Sequence, residues 1–348
     1  MSGVTVPFFI SHQGCPQTCV FCDQRAISGS NGYLPTGEEI VAKVLEWHRS
    51  ADGRRLEVAF FGGTFTALSR DVQARMLYPL QSFLASGMVM SIRISTRPDC
   101  IDREIVRWLA AMGVGIIELG VQSMDDSVLW AAGRGHTAAA SRAAIGCITS
   151  CGLSAGAQLM PGLPGDTLDT SLSSLRQVID AGADFVRLYP AIVFRGTELA
   201  DRYERGEYLP LTVDDGVALC KVLLQTAMRA EVDVIRIGLQ ATEGVSKESV
   251  LAGCWHPALG QLVRSELFYD LMVCLVSGLP INEPLTVRCH PSRISDVIGH
   301  GRKNMVRLAE LGVVVESIIK DNSVSEQDVV IEYCNKYIQA DIVSACLY

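Results

Sequence analysis

Three cysteines near the start of the chain, Cys15, Cys19 and Cys22, have the type and spacing of residues that bind iron. They form a C-x3-C-x2-C pattern with an aromatic residue just before the last cysteine. Three thiolates can hold three irons of a [4Fe–4S] cube and leave the fourth iron without a protein ligand. A small molecule can bind at such an open iron and be reduced there. The spacing therefore indicates a redox enzyme.

A structural zinc site is the alternative interpretation of the three cysteines. Zinc in structural sites takes four ligands, which normally come from two paired knuckles. The sequence has no second C-x2-C pair, although His12 could serve as a fourth ligand. Three thiolates so close together, next to Gly14 and Pro16, suit a loop that wraps a cluster better than a zinc knuckle. We therefore favour the iron–sulfur interpretation.

The composition is that of a chain with a large apolar core. Of its 348 residues, 49% are hydrophobic and 20% are charged, which suits one large α/β domain with an added module or two ordinary domains. No apolar run approaches the roughly 18 residues of a membrane span, and the N-terminus lacks the pattern of a signal peptide. Twelve cysteines without export signals indicate a reducing compartment, so we expect a cytoplasmic protein with no membrane contact.

Alternating strand-like and helix-like segments predict a parallel sheet. Each of six apolar segments is followed by a helical pattern or an irregular connection; they are Val6–Ser11, Leu56–Phe61, Ser91–Ser95, Gly115–Val121, Ser154–Met160 and Asp184–Tyr189. Successive β-then-α units with right-handed crossovers predict an open (β/α)6 barrel with helices outside. The cysteine loop, Gly62–Gly63, Thr96–Asp99, Gln122 and Pro161–Gly165 all follow strands. We therefore predict the site at the carboxyl ends of the strands.

The pattern changes after the sixth strand, and we predict two domains. Residues 1–240 form the partial barrel with a following helix–strand extension, and residues 241–348 form a C-terminal α/β appendage that could bind substrate. One segment of the appendage has part of the GXXG spacing of KH RNA-binding domains, but Arg302 stands at the second glycine. Several cations give this segment a basic surface, for which a solvated helix face is the simpler interpretation; they are Arg293, Arg302, Lys303 and Arg307.

The cysteine pattern, with Phe21 in it, resembles the signature of radical S-adenosylmethionine (SAM) enzymes over about residues 6–240. Further segments resemble the branch with the Elongator catalytic subunit and oxygen-independent coproporphyrinogen III oxidase; they are Phe60–Phe65, Ser95–Asp99, Gly133–Thr137 and Gly162–Gly165. The resemblance implies a [4Fe–4S] cluster, bound SAM and an external one-electron donor such as flavodoxin or ferredoxin. It also implies that SAM is cleaved to a 5′-deoxyadenosyl radical, which takes a hydrogen atom from the substrate.

The same resemblance implies roles for the residues near the cysteines, which would themselves ligate iron. Phe21 would pack beside the adenine, with a core aromatic as the simpler alternative. Gly62, Gly63 and Thr64 match the glycine-rich strand end that receives the SAM amino group. The family often has an acid at the position of Thr64, so a backbone contact is expected here without a carboxylate contact.

Further roles are implied for three residues later in the chain. Gln122 and Arg134 match residues that meet the ribose and the SAM carboxylate, and the forked donors of arginine suit a carboxylate. Gln158 stands where the branch tends to have aspartate and can still bond ribose hydroxyls. Arg97 and Asp99 are candidates for a structural pair. His136 is a candidate for helix capping or core bonding, and five candidates for the cavity wall stay unassigned; they are Tyr189, Arg195, Cys254, His256 and His290.

The sequence indicates the substrate less clearly than the cofactors. The net charge of −8 counts against a protein that coats nucleic acid with its whole surface, but a local basic groove remains compatible with it. The Elongator-like segments and the basic segment favour RNA modification. The alternative is an enzyme acting on a small molecule or a porphyrin-type substrate. A non-catalytic protein that keeps an iron–sulfur cluster or a metal for structure is the alternative from another class.

Overall fold

The structure is a computed structural model that describes residues 3–23, 33–239, 249–277, 279–280 and 283–345. The chain divides into two compact units, residues 1–211 with 232–255 and residues 212–231 with 256–348. The boundary predicted between residues 240 and 241 lies outside the described residues. The division into residues 1–240 and 241–348 therefore stays a prediction.

Seven parallel strands form the sheet of the first unit, which curls into a half barrel with helices outside. The described residues of this unit form nine strands, which are β1 Val4–Phe9, β2 Leu56–Phe61, β3 Val89–Thr96, β4 Val114–Gln122, β5 Ser154–Leu159, β6 Phe185–Leu188, β7 Ile192–Phe194, β8 Asp233–Ile237 and β9 Val250–Gly253. The sheet runs β1-β2-β3-β4-β5-β6-β8, and β7 pairs with β9 in a short antiparallel ribbon. The predicted open barrel is confirmed, and β8 adds a seventh strand to the six that were predicted.

Helices follow the strands of this unit, and all but Gln81–Ala85 begin after a residue whose side chain accepts a hydrogen bond from the first turn. They are Gly37–Ser50, Arg70–Leu77, Gln81–Ala85, Arg103–Ala111, Asp126–Ala131, Ala138–Ser150, Leu168–Asp180 and Glu198–Glu204. At the first of them the Glu39 amide donates to Thr36 Oγ1 at 3.2 Å, and the Thr36 amide donates to Glu39 Oε2 at 2.7 Å. This reciprocal pair satisfies two backbone donors that the helix itself leaves open.

The alternation of side chains along each strand decides what faces the barrel interior. In β1, Val6 and Phe8 are at most 5% exposed, and Lys43 of the first helix lies 4.8 Å over the Phe8 ring. Pro7 and Phe9 point the other way, into the interior. Since successive residues of a strand face opposite sides, one side packs on helices and the other forms the wall of a cavity.

The second unit has a four-stranded sheet of its own, in the order β11-β10-β12-β13. Its elements are helix Val213–Arg229, helix Leu259–Val276, β10 Leu285–Cys289, helix Ile294–Ile298, helix Lys303–Glu310, β11 Val315–Lys320, β12 Asp328–Tyr333 and β13 Lys336–Asp341. Strand β10 pairs parallel with β11 and antiparallel with β12. Lys221 and Asp270 form a buried ion pair between the first two helices. Within the described ranges, no helix has the length and apolar character needed to cross a membrane.

Candidate active site

A cavity of about 640 Å³ lies inside the half barrel and reaches the carboxyl ends of its strands. Every residue that the sequence predicts for the cluster or for SAM lines this cavity; they are Cys15, Cys19, Phe21, Cys22, Gly62, Gly63, Thr64, Gln122, Arg134 and Gln158. The volume is in the usual range of small-molecule sites. The fold therefore brings together residues that are distant in sequence.

Backbone contacts fasten the cysteine loop to the glycine-rich end of β2. The Thr64 amide donates to the Gln13 carbonyl at 2.9 Å, and the His12 amide donates to the Gly62 carbonyl at 3.0 Å. A Cβ at Gly63 would lie only 2.6 Å from the Gln13 carbonyl oxygen. Because no real Cβ contact is so short, a residue without a side chain is needed where the two segments meet.

The three cysteines differ in their surroundings. Cys19 is 7% exposed, and Arg134 Nη1 donates to its sulfur at 3.1 Å. Cys15 Sγ lies 3.4 Å from Thr64 Oγ1. The Cys22 amide donates to the Cys19 carbonyl at 3.0 Å, which makes a tight turn between the last two cysteines. The guanidinium of Arg134 thus lies in hydrogen-bond contact with one of the three predicted iron ligands.

The donor set fits an iron–sulfur cluster. Among the described residues, no three His, Cys, Asp or Glu side chains converge on a point where a single ion could bind. In a [4Fe–4S] cube each thiolate binds a different iron, so three sulfurs need not converge on one ion. Three thiols of one loop that line one cavity meet that requirement. The ligand roles of Cys15, Cys19 and Cys22 stay predictions.

Arg97 and Asp99 hold the backbone of Arg134 in place. Arg97 Nη2 donates to the Arg134 carbonyl at 2.6 Å, and its guanidinium meets Asp99 in two hydrogen bonds of 2.8 and 2.9 Å. Burial alone would raise the pKa of Asp99, but the hydrogen bonds and charge of Arg97 outweigh burial and lower that pKa. The predicted structural pair is confirmed. Arg134 Nε is itself buried and has no hydrogen-bond partner among the described residues.

His136 is a core residue. Its Nε2 lies 3.3 Å from the Val121 carbonyl oxygen, which accepts a hydrogen bond when that nitrogen carries the proton. Burial, reinforced by the charges of Arg134 and Arg97, lowers the pKa of His136 to about 4. The imidazole is therefore neutral at pH 7, and the core-bonding interpretation of this residue is confirmed.

Gln122 ends β4 in an unusual backbone conformation that turns its side chain towards the cavity. Its φ is 67°, and the register of β4 with β5 shifts between Leu119 and Gln122. Gln122 Oε1 is buried and finds no partner in the part of the chain that the structure describes, and the same holds for the Ser95 hydroxyl at the end of β3. Both residues line the cavity. Buried polar atoms are rarely left unpaired, so these two fit a ligand that supplies hydrogen-bonding groups.

Gln158 is tied to a charged network that the sequence did not predict. Its amide donates to Glu118 Oε2 at 3.1 Å, so its side chain is already engaged. Glu118 also accepts from Arg187 at 2.9 Å and pairs with Arg93, which pairs in turn with Glu57 at 2.8 Å. The sequence does contain an indication of this network, because its charged residues occupy inward-facing positions of otherwise apolar strands.

Tyr189 is the one unassigned candidate that the described structure places on the cavity wall. Arg187 Nη1 donates to its hydroxyl at 3.1 Å, and burial raises the pKa of this tyrosine. The remaining candidates do not line the cavity; they are Arg195, Cys254, His256 and His290.

The segment of the second unit that was expected to be basic is mostly neutralised by acids from elsewhere in that unit. Arg293 pairs with Glu326 at 2.6 Å, and Arg307 pairs with Glu266 at 2.8 Å. Lys303 lies 3.4 Å from the same Glu266. The positive charge of this segment is therefore smaller than its four cations alone suggest, because three of them pair with acids.

Two sequence patterns identify the family of the chain. The Radical SAM superfamily pattern matches residues 9–178, and the Radical_SAM C-terminal domain pattern matches residues 183–269. Together they cover most of the chain, which belongs to the radical SAM superfamily. The protein is therefore a radical SAM enzyme whose cofactors are a [4Fe–4S] cluster and SAM, as predicted.

The chain is similar to curated relatives that are named for different functions. The chain is 28% identical over 185 residues to the tRNA uridine(34) acetyltransferase of Methanocaldococcus jannaschii, covering 47% of this chain and 34% of that protein. It is 27% identical over 196 residues to the heme chaperone HemW of Haemophilus influenzae, covering 54% and 51% of the two chains. The chain thus spans about a third to a half of these relatives.

A solved structure with the same fold is Elp3 of the archaeon Methanocaldococcus infernus, in a form with an N-terminal deletion. It matches this chain with a TM-score of 0.61 and 22% sequence identity, over 76% of this chain and 62% of the other. At this level of identity the likeness concerns the fold.

Proposed function

We propose that the enzyme cleaves SAM reductively to a 5′-deoxyadenosyl radical, which abstracts a hydrogen atom from RNA during its modification. One observation carries the proposal. The residues matched to the cluster and those matched to SAM come from five separate parts of the sequence, yet all line one cavity of about 640 Å³. Superfamily membership supports the choice of cofactors.

Complementary groups in the cavity support the proposed position of SAM. Arg134, whose Nε is buried without a partner, would receive the carboxylate in a charge-assisted hydrogen bond. The backbone of residues 62–64 would receive the amino group. Gln122 Oε1, also buried without a partner, would accept from a ribose hydroxyl. Gln158 already donates to Glu118, so it would contact the ribose either with its remaining groups or by giving up that bond.

The chain itself contributes a shielded place for the reaction. When bound, the cluster supplies one electron to SAM, and SAM supplies the radical. An external donor such as flavodoxin or ferredoxin would provide the electron. Phe21 packs beneath the cysteine loop in an apolar cluster with Val20, Val128, Leu163 and Tyr208, and it would cover the adenine from the cavity side. Excluding water in this way protects a reactive species from side reactions.

RNA is the substrate class that we propose. A relative with the same kind of domain is named a tRNA acetyltransferase, although the match covers 34% of that protein, so acetyl transfer is not part of the proposal. A porphyrin-type or other small-molecule substrate is the second candidate. The similarity to a heme chaperone over 54% of this chain favours that candidate.

Anaerobic reconstitution tests the proposed function. The purified chain with its cluster, SAM and dithionite should form 5′-deoxyadenosine, and bulk tRNA should raise the rate. Cys19→Ala should abolish the product. Cys147→Ala is the matched control, because this cysteine lies on helix Ala138–Ser150 and does not line the cavity.

Each result decides between the candidates. If the wild-type chain forms no 5′-deoxyadenosine, the catalytic proposal fails and a non-catalytic cluster protein is the better description. If product forms and a porphyrin raises its rate whereas tRNA does not, the small-molecule candidate replaces RNA.

A further inference from the structure

We propose that one nucleotide of the RNA binds along a stripe across the barrel interior, with its base on Phe9 and Phe61 and a phosphate on Arg236. The stripe consists of Phe9, Phe61, Arg187 and Arg236, all of which line the cavity. This inference rests on the proposed function and deepens it, because it names the groups that would recognise the substrate.

The aromatic half of the stripe lies on the first two strands. Phe9 and Phe61 are register partners in β1 and β2, and their ring centroids are 6.1 Å apart with the planes tilted by 42°. Phe9 is 43% exposed, whereas its neighbour Phe8 on the other face of the strand is 5% exposed. A phenylalanine that faces a cavity and keeps so much of its ring uncovered offers a surface for stacking. Proteins bind unpaired bases on aromatic side chains in this way.

Arg187 joins the aromatic half of the stripe to its cationic half. Its guanidinium centre lies 5.9 Å from the centroid of the Phe61 ring. Bonds to Glu118 at 2.9 Å and to the Tyr189 hydroxyl at 3.1 Å fix the orientation of this guanidinium. The charge of Arg187 is balanced by Glu118, so Arg187 forms a polar floor and is not the main anchor for an anion.

Arg236 gives the stripe a positive charge that no neighbouring acid of the described chain balances. It is the register partner of Arg187 on the neighbouring strand β8 and faces the same cavity. Its side chain is exposed, and within the described ranges it makes no ion pair and no side-chain hydrogen bond. A guanidinium presents several donors in a fork that matches the oxygens of a phosphate. Arg236 is therefore a free anchor for an anionic group at the cavity rim.

The position of the stripe favours a nucleotide within a polymer over a free small molecule. Strands β1 and β8 are the two edges of the sheet, so the exposed side chains of Phe9 and Arg236 lie on its two edge strands. One nucleotide would enter between these edges while its neighbours stay in solvent, as in enzymes that extrude a base into a pocket.

Two variants of the holoenzyme test the stripe. Arg236→Gln should weaken binding of bulk tRNA roughly tenfold in anisotropy titrations at graded salt and reduce the salt slope by about one. Arg236→Lys should recover most of the affinity. Phe9→Leu should reduce the quenching of 2-aminopurine in a short single-stranded RNA, because leucine fills the space without a ring for stacking. Arg205→Gln is the control, since Arg205 is exposed, pairs with Glu207 and lies outside the cavity.

The outcomes separate this inference from the proposed function. If Arg236→Gln and Phe9→Leu bind RNA as the wild type does, the stripe is overturned and the proposed function is untouched. If the wild-type holoenzyme shows no salt-dependent binding of tRNA, RNA as the substrate fails together with the stripe. If coproporphyrin binds more tightly than RNA and loses affinity in both variants, the stripe recognises a porphyrin and the assignment to a nucleotide is overturned.

Discussion

Arg134 Nη1 donates a hydrogen bond to the sulfur of Cys19 at 3.1 Å, across 115 positions of the sequence. The contact joins the residue proposed for the SAM carboxylate to a residue proposed for the cluster. Because SAM would have to reach both groups at once, their proximity is what a shared site requires. Arg97 helps to hold Arg134 in this position by donating a hydrogen bond to the Arg134 carbonyl.

The guanidinium of Arg134 should matter for more than its charge. In Arg134→Lys the cation is kept, but the unpartnered Nε donor is lost together with the Nη bonds to Cys19 and the Gly120 carbonyl that orient it. The dissociation constant of SAM should therefore rise roughly tenfold or more. Equilibrium dialysis of labelled SAM with the reconstituted enzyme measures it. Arg142→Lys is the control, because Arg142 is exposed and bonds Gln177 outside the cavity. Equal affinities in the Arg134 variant and the wild type would refute the carboxylate role.

Gly63 should not tolerate a methyl group. In Gly63→Ala the new Cβ would lie 2.6 Å from backbone oxygens, which cannot move without shifting the cysteine loop. The free energy of unfolding should fall by roughly 1–3 kcal/mol, and less iron should be retained. Gly146→Ala is the control, since a Cβ there meets nothing within 4 Å in a helix, and it should raise stability by about 0.5–1 kcal/mol. Urea unfolding compares the two, and equal effects would contradict the close approach at Gly63.

Glu118 should stabilise the barrel through its two arginine partners. Its side chain is 1% exposed and faces Arg93 and Arg187, so Glu118→Gln leaves a buried positive charge without compensation. The free energy of unfolding should fall by roughly 3–5 kcal/mol. Glu207→Gln removes the carboxylate of an exposed ion pair and should cause no measurable change. A neutral result for Glu118→Gln in thermal and urea unfolding would show that the network is dispensable.

His136 should make the fold sensitive to acid. Its pKa is lowered to about 4 in the folded chain, against an ordinary value of 6.5. Between these values the unfolded chain binds the proton and the folded chain does not, so stability falls as pH drops from about 6.5 to about 4. The loss attributable to this residue is at most about 3 kcal/mol. His136→Gln should flatten the stability–pH curve in this window, and an unchanged slope would count against a buried neutral imidazole.

The barrel and the location of its site were predictable because the relevant signals are local. Apolar strands that end in glycines, in Gln122 or in the cysteine loop reveal both the sheet and the edge where its site lies. The segment of β8 was predicted as a strand but not as part of the sheet. An irregular stretch and a long helix separate β8 from β6 in the sequence, so no local pattern shows that the two strands pair. Their pairing depends on how far the sheet curls.

Contacts between distant residues were not predictable in the same way. The sequence suggested a ribose contact for Gln158, but which inward-facing side chains meet depends on barrel curvature, and Glu118 takes its amide. The positive charge of the second unit's basic segment was overestimated for a similar reason. Glu266 and Glu326 are distant in sequence from the cations that they neutralise, and only the folded unit brings them together.

Cys15, Cys19 and Cys22 should hold a cluster with an iron open to SAM in the cavity that Arg134 lines. Iron and sulfide analysis, combined with electron paramagnetic resonance of the reduced, reconstituted chain, measures whether they do. We expect about four irons per chain and a signal that changes shape when SAM is added, with both lost in Cys19→Ala. A chain that retains zinc, or a cluster signal that SAM leaves unchanged, would contradict the claim.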